Sequence, residues 1–355
     1  MPASWTFAVA RDDLGRTTLV DGATAEPSEG EALLRVDRVG LTANNVTYAV
    51  LGDAMRYWEF FPPGPRGLDP QWGVPPLWGF AEVVASTVAG VAAGQRVYGY
   101  LPSAGHLLVR PGRVDALGFR DVSGHRAELP SPYQVYRSSA GDPAYRADQE
   151  DLLILFRPLF FTSFMLADRV VDDDFHGATS VVLSSASSKT AYATAFLLRG
   201  RGRRLVGLTS PGNREFTRSL GCYDEVVGYD EIDGLDRAPT AYLDLSGAPS
   251  TRAALRQHLG DRLVRDVAVG LTSRIPNADA AGEVFFAPVQ MRKRRQDWGA
   301  DGLDRRFTEA WQRFAEVVGG WLDVRVGTGP DALRAAWAEV LAGRTPPRVG
   351  HVVQL

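Results

Sequence analysis

The 355-residue sequence holds a single cysteine, Cys222, and only two lysines, Lys189 and Lys293. One thiol excludes an internal disulfide and any thiolate cluster around a metal. The five histidines, His106, His125, His176, His258 and His351, are scattered, so the spacing of a zinc site is missing and each reads as a surface or packing residue. No G-x-S-x-G nucleophile elbow occurs. No apolar run approaches a membrane span, and the opening MPASWTFAVARDDLGR lacks a signal core. Charge of one sign is lacking too: 39 basic against 42 acidic residues leave a net charge of −3, which gives no reason to expect nucleic acid or an anionic membrane as partner. What remains is a cytoplasmic enzyme acting on a small molecule, long enough for two domains.

The most informative segment is TSVVLSSASSKTAYATAFLL, from Thr179 to Leu198. It reads as a buried strand (Val181, Val182, Leu183), a turn of small residues, and a helix whose Ala191, Thr194, Ala195 and Leu198 form one packed face. A strand, tight turn and helix of this kind aim backbone N–H groups and a helix dipole at a phosphate. The usual glycines are absent and Lys189 stands at the mouth of the turn. SSKT resembles the end of a nucleotide-wrapping GK[ST] loop, yet Leu183 and Ser188 replace that loop's two glycines, so ATP or GTP hydrolysis is not expected.

Residues 1–150 carry short β-type runs broken by Gly and Pro (EALLRVDRVGLT, FAEVVAST, QRVYGYLP, HLLVRPG), which argue for a distorted barrel. Between them, MRYWEFFPPGPRGLDPQWGVPPLWGF is too rich in Pro and Gly for regular structure. Its Tyr57, Trp58, Phe60, Phe61, Trp72 and Trp78 suit either a self-packed loop or a cleft wall. From Asp151 onward helices and strands alternate: a helix over LLILFRPLFFTSFMLADRVV, then RRLVGLTS, PGNREFTRSLG, DEVVGY, TAYLDLSG, TRAALRQHLG and VRDVAVGLTS, a pattern of βαβ units on a parallel sheet. A helix over 303–319 carries the stripe Leu303, Phe307, Trp311, Phe314, Val318. Another helix, PDALRAAWAEVLAG, and a last strand, VGHVVQL, follow.

A β-rich half, a βαβ half and a return to the first domain resemble the medium-chain dehydrogenase/reductases, and most closely their zinc-free, quinone-oxidoreductase-like branch. The resemblance is carried by VGLTANNVTYAVLGD, PLWGFAEVVAS with VAAGQRVYGY, REFTRSLGCYDEVVGY and TAYLDLSG. More narrowly, TANNVTYAVLGDAMRYWEFFP, RPLFFTSF, SSASSKTA and FFAPVQMRKRRQDWG resemble a subfamily known as a domain of unknown function. The resemblance implies an α/β protein with a GroES-like β-barrel catalytic domain over 1–150 and 303–355 and a Rossmann-type nucleotide-binding domain over 151–302. It also implies a homodimer and a nicotinamide coenzyme.

In that frame the turn's glycines fall at Ser185, Ser188 and Ala191, and positive φ is lost with them. Ser185, Ser187, Ser188, Lys189 and Thr190 are the expected phosphate ligands, with the Lys189 ammonium compensating for the missing glycines. The second strand ends in Ser210, Asn213 and Arg214 with no acid to hold a ribose 2′-hydroxyl. Arg214 takes the place of the residue this branch uses on a 2′-phosphate, so NADPH is expected over NADH; Tyr229 completes the cofactor set. A solvated helix face is the plainer reading of Arg214 and Arg218. For chemistry, Asn44 or Asn45 and Tyr48 are expected on a strand facing the cleft, an amide to hold a carbonyl and a phenol to donate a proton; a turn cap and a half-buried barrel residue are their plainer readings. Lys293, with Arg294 and Asp297, follows FFAP and suits an anion site, unless Arg292–Arg295 is a solvated run.

Three functions follow from these residues. The first is a zinc-independent, NADPH-dependent reductase of an enone, quinone or activated carbonyl compound. The second is a non-redox, lyase-type enzyme in which Lys189 or Lys293, its pKa lowered beside another cation, attacks or protonates a carbonyl substrate. The third is a nucleotide sensor without catalysis.

Overall fold

The structure, a computed structural model, describes residues 3–269 and 283–355. The chain divides into two compact units, Met1–Leu155 with Leu322–Leu355, and Phe156–Trp321. The first unit contains β1 (Ala3–Ala10), β2 (Thr17–Ala23), β3 (Ala32–Leu41), α1 (Ala43–Val50), β4 (Trp72–Gly73), β5 (Pro76–Ser86), β6 (Arg96–Pro102), β7 (His106–Val109), β8 (Pro111–Asp115), β9 (Gly118–Asp121) and β10 (Val135–Ser138). Helix α2 (Glu150–Asp172) carries the chain onward to β11 (Ser180–Leu183), α3 (Lys189–Leu198), β12 (Arg204–Thr209), α4 (Arg214–Ser219), β13 (Glu225–Gly228), β14 (Thr240–Asp244), α5 (Pro249–Leu259), β15 (Leu263–Val269), β16 (Glu283–Phe285) and α6 (Ala287–Val318). The chain then returns through β17 (Asp323–Thr328), α7 (Gly329–Leu341) and β18 (Val349–Gln354). Residues 270–273, the end of the expected strand VRDVAVGLTS, lie outside the described residues.

In the first unit β2-β1-β4 form one sheet, and β17-β18-β3-β5-β6-β10-β9-β8 form a larger one, with β7 also on β3. The sheets are joined where the Phe7 N–H donates to the Ser103 carbonyl at 2.8 Å and the Ser103 hydroxyl donates to the Phe7 carbonyl at 2.8 Å. Arg96 grips Asp37 at 2.7 Å and Glu150 at 2.6 Å, and Arg38 holds Asp151 through two bonds of 2.5 and 2.8 Å. These bidentate pairs fasten β3 and β6 to the first turn of α2.

The second unit is built on a parallel sheet of order β13-β12-β11-β14-β15-β16. Renumbered within the unit this is 3-2-1-4-5-6, the doubly wound arrangement whose order reverses between its first and fourth strands. All four residues of β11 are buried, as a central strand covered on both faces requires. The expected face of α3 is also found: Ala191, Thr194, Ala195 and Leu198 have no exposed surface. Among the described residues no helix is long and apolar enough to cross a membrane.

The return to the first unit comes at Leu322, later than the expected 303. Two findings account for it. Helix α6 begins at Ala287, bends at Gly299 (φ 71°), and so includes FFAPVQMRKRRQDWG's basic run as well as the predicted 303–319 stretch. Its stripe Leu303, Phe307, Trp311, Phe314 and Val318 is buried within the second unit, where Phe160 stacks on Phe314 at 4.8 Å and meets Trp311 edge-on at 5.4 Å. The Pro- and Gly-rich aromatic segment likewise carries regular pieces, short 3₁₀ turns at Tyr57–Phe60 and Gly64–Arg66, then β4 and the start of β5. Tyr57, Trp58, Phe60 and Phe61 are buried in the core.

Replacing Phe314 with Ala removes the ring on which Phe160, Trp311, Phe196 and Trp321 converge. The expected loss is about 3–5 kcal/mol of stability, read as a lower urea midpoint. Val317→Ala, at a 38% exposed position of the same helix, should cost under about 0.5 kcal/mol.

Candidate functional site

Where β11 and β14 part, Ser184 Oγ donates to Asp244 Oδ1 at 2.9 Å and accepts the N–H groups of Leu245 and Ser246 at 3.0 and 3.1 Å. The same carboxylate oxygen accepts the Ser246 N–H, the Ser246 hydroxyl and the Gly247 N–H, and Arg252 pairs with Oδ2 at 3.0 Å. The lone pairs of this buried carboxylate are thus filled by donors, which hold it in place. Ser184 carried no signal in the sequence, because its role depends on a partner sixty residues away.

The turn that follows does without glycine. Ser185 itself adopts the left-handed conformation, at φ 51°. Positive φ is therefore kept at a steric cost and not lost, as the missing glycines had implied. The Ser185 N–H donates to the Tyr229 hydroxyl at 2.9 Å, the Ala186 N–H to Leu208, and the Tyr223 hydroxyl to the Ala186 carbonyl at 2.9 Å. A Cβ on Gly207 would meet that of Ala186 at 2.8 Å, so this glycine is needed for the turn to lie close on β12. Ser187 Oγ accepts from Asn213 Nδ2 at 3.2 Å, Ser188 caps α3 by accepting the Ala191 N–H, and the Thr190 carbonyl accepts the Ser163 hydroxyl at 2.8 Å. The Ser210 carbonyl accepts the Asn213 N–H. Ser185, Ser187, Ser188, Lys189, Thr190, Ser210, Asn213 and Tyr229 thus gather at the carboxyl ends of three adjacent parallel strands, the edge at which doubly wound sheets bind ligands.

The two cations of this edge differ. Lys189 is the first residue of α3 and keeps some exposed surface, yet it lies deep enough that burial lowers its amine to about 8. Arg214 lies over Gly228 and pairs with Glu231 at 2.7 Å and Asp230 at 3.4 Å. The solvated-face reading is therefore too plain for Arg214, and a phosphate here would have to displace a carboxylate. A dinucleotide still fits: the turn has the required backbone path, a positive helix end and an ammonium.

In the first unit, Asn44, Asn45 and Tyr48 lie on helix α1, not on the expected strand. Thr42 ends the extended run and begins a capping box, in which Asn45 Oδ1 accepts the Thr42 N–H at 2.8 Å while its Nδ2 donates to Pro76 at 3.1 Å. Both ends of the Asn45 amide are thereby engaged in structure. Tyr48 faces a nest of rings: Tyr57 at 4.7 Å, Tyr100 at 5.5 Å and Tyr133 at 6.1 Å between centroids. Its hydroxyl accepts the Trp78 indole N–H at 3.1 Å. Burial pushes the phenol up to about 12, against a lowering by the indole, so it stays protonated at neutral pH. Tyr57 and Tyr133 had no signal of their own, because nothing in their spacing tells that their hydroxyls meet, at 3.2 Å.

Lys293 and Arg294 are overturned as an anion site. Lys293 pairs with Asp172 at 2.6 Å and Asp297 at 3.5 Å, while buried Arg294 binds Asp168, Asp172 and Asp297 at 2.6–2.7 Å. Two cations meet three carboxylates, which leaves no attraction for a further anion. The Asp172 hydrogen bond holds the exposed Lys293 amine above its usual range, the opposite of what a nucleophilic lysine needs. Among the described residues no group of three His, Cys, Asp or Glu side chains is placed to hold a metal ion.

A family model described as "Protein of unknown function (DUF2855)" matches residues 39–346. No curated protein matches the chain. Among solved structures the chain is similar to CurA from Vibrio vulnificus in complex with NADPH, at 13% identity and TM-score 0.62, covering 99% of this chain and 98% of that one. It is also similar to the quinone oxidoreductase from Coxiella burnetii (12%, TM-score 0.56, 100% of both chains) and to Etr1p in its complex with NADP and crotonyl-CoA (10%, TM-score 0.59, 100% of both). At such identities the likeness is one of fold: a GroES-like β domain with a Rossmann-type parallel-sheet domain.

Ser185→Gly should relieve the left-handed strain, about 1–2 kcal/mol for an L-residue, against about 0.5–1 kcal/mol of added freedom in the unfolded chain. The expected net gain is a rise of roughly 2 °C in melting temperature. Ser185→Val should lower it, and equal melting points for all three proteins would contradict the strained turn.

Proposed function

The chain belongs to the DUF2855 family, and we propose that it is an NADPH-dependent, zinc-independent reductase of an enone, quinone or similarly activated carbonyl compound. The observation that carries this reading is the strand–turn–helix at Ser185–Lys189, whose backbone keeps its left-handed step without glycine and whose first helical residue is a lysine. Structural neighbours named for NADPH, NADP and quinone reduction support it. Bound NADPH would supply a hydride. The chain's own part is to hold the pyrophosphate at the N-terminus of α3 with Lys189, Ser187 and Ser188, and the 2′-phosphate with Arg214 once it exchanges a carboxylate partner. Tyr48 gives a proton to the oxygen of the reduced substrate, and the Trp78 N–H stabilises the phenolate left behind. A homodimer formed at the β16 edge is part of the same proposal, supported by the exposed Val284, Phe286 and Val289.

A second reading rests on Lys189 alone. An amine of pKa about 8 is partly neutral at physiological pH and can attack a carbonyl group. Lys293 has no place in it.

Quenching of tryptophan fluorescence by NADPH at micromolar concentration is expected; no response at millimolar nucleotide would remove the reductase reading. Because the ammonium form of Lys189 binds phosphate and is lost as pH rises through about 8, NADPH affinity should fall between pH 7 and 9. In Lys189→Ala this dependence should vanish. Arg214→Ala should weaken NADPH by about 10-fold or more and leave NADH unchanged. Borohydride trapping of a carbonyl substrate on the wild-type protein, but not on Lys189→Ala, would favour the second reading.

A further inference from the structure

Arg214 is the first residue of α4, just past the carboxyl end of β12, and its side chain reaches the end of β13 already paired. Its Nη2 lies 2.7 Å from Glu231 Oε2 and 3.4 Å from Asp230 Oδ1. A Cβ on Gly228 would collide with the guanidinium, so the cation is seated against that glycine's backbone. Glu231 is fixed to the same glycine from two sides. Its N–H donates to the Gly228 carbonyl at 3.1 Å, and its Oε2 accepts the Gly228 N–H at 3.1 Å. The Gly228 N–H and Arg214 hold this exposed carboxyl below its ordinary range, so it is an anion at neutral pH. Two carboxylates thus face one guanidinium, and the local balance of charge is negative. The match is incomplete on the side of the cation, because Arg214 Nε is buried and has no acceptor among the described residues.

We propose that Glu231 sets the coenzyme preference, its carboxylate standing on Arg214 in the place a 2′-phosphate would take. This rests on the reductase reading, with NADPH as the coenzyme. NADH carries a hydroxyl at that position, makes no demand on Arg214 and leaves the ion pair intact. NADPH must first release the Glu231 carboxylate. It offsets that loss by bringing a group of charge about −1.5 to −2 with three acceptor oxygens, a stronger partner for a guanidinium than one carboxylate. The exchange is favourable, yet it yields less than a phosphate meeting an unpaired guanidinium. Glu231 therefore narrows the difference between the two coenzymes that Arg214 creates. Asp230 lies farther from the cation and is the more exposed of the two acids, so its share is the smaller.

The test compares the full chain with Glu231→Gln, which keeps an acceptor for the Gly228 N–H and loses the charge. NADPH should bind about 2- to 5-fold more tightly, the weight of one exposed ion pair, while NADH affinity stays within about 1.5-fold. In the Arg214→Ala background the same substitution should leave NADPH affinity within about 1.5-fold. Glu225→Gln removes an equal charge from the other end of β13, where Glu225 pairs with Arg204 at 2.8 Å, and should change neither affinity. An unchanged NADPH-to-NADH ratio in Glu231→Gln, in protein that binds NADPH, would overturn the role of Glu231 and leave the reductase reading intact. If neither protein binds either nucleotide at millimolar concentration, the reductase reading falls, and Glu231 is judged with inorganic phosphate on protein labelled with 15N-arginine. The Arg214 Nε resonance, assigned by its loss in Arg214→Ala, should then move at lower phosphate concentration in Glu231→Gln than in wild type. Equal titrations would overturn the proposal as well.

Discussion

The bond between the Ser184 hydroxyl and the Asp244 carboxylate sits where the sheet reverses its order, and the turn into α3 is organised around it. A buried carboxylate is costly unless its lone pairs are filled, and here donors from the ends of both β11 and β14 fill them. That demand fixes how the chain leaves β11, and Ser185 must then step through the left-handed region to turn toward α3. The strain at Ser185 is tolerated because its neighbours over-determine it, with Tyr229 on its N–H and Tyr223 on the next carbonyl.

Short-range ion pairs recur in both units. Arg38, Arg96, Arg252 and Arg294 each face carboxylates at short range. At Lys189 burial disfavours the charge. In the first unit, phenols and one indole surround Tyr48.

Much of this was legible in the amino-acid order. Period and length revealed β11, the α3 face and the α6 stripe, since those signals are local and repeat along the chain. Thr42 hid the transition from β3 to α1: ANNVTY is rich enough in β-branched and polar residues to read as a strand, and only the Thr42–Asn45 box makes it a helix. The basic run at Arg292–Arg295 was ambiguous for a different reason. Its carboxylate partners Asp168 and Asp172 lie on α2, over a hundred residues earlier, where no spacing rule reaches them. Hydroxyls that meet in space, such as those of Tyr57 and Tyr133, are invisible for the same reason.

The closure of the first unit's large sheet has a consequence for how the chain is made. Strand β18 is inserted between β17 and β3, more than three hundred positions after β3, whereas the second unit is continuous from Phe156 to Trp321. Its partners being all at hand, the second unit can complete its core while synthesis is still under way. The Arg38–Leu41 end of the β3 edge, by contrast, waits for residues 349–354 to emerge, while β7 already pairs Ala32–Arg35. For that interval it is an open strand next to a growing chain, and holding it until its late partner arrives is a natural task for a chaperone.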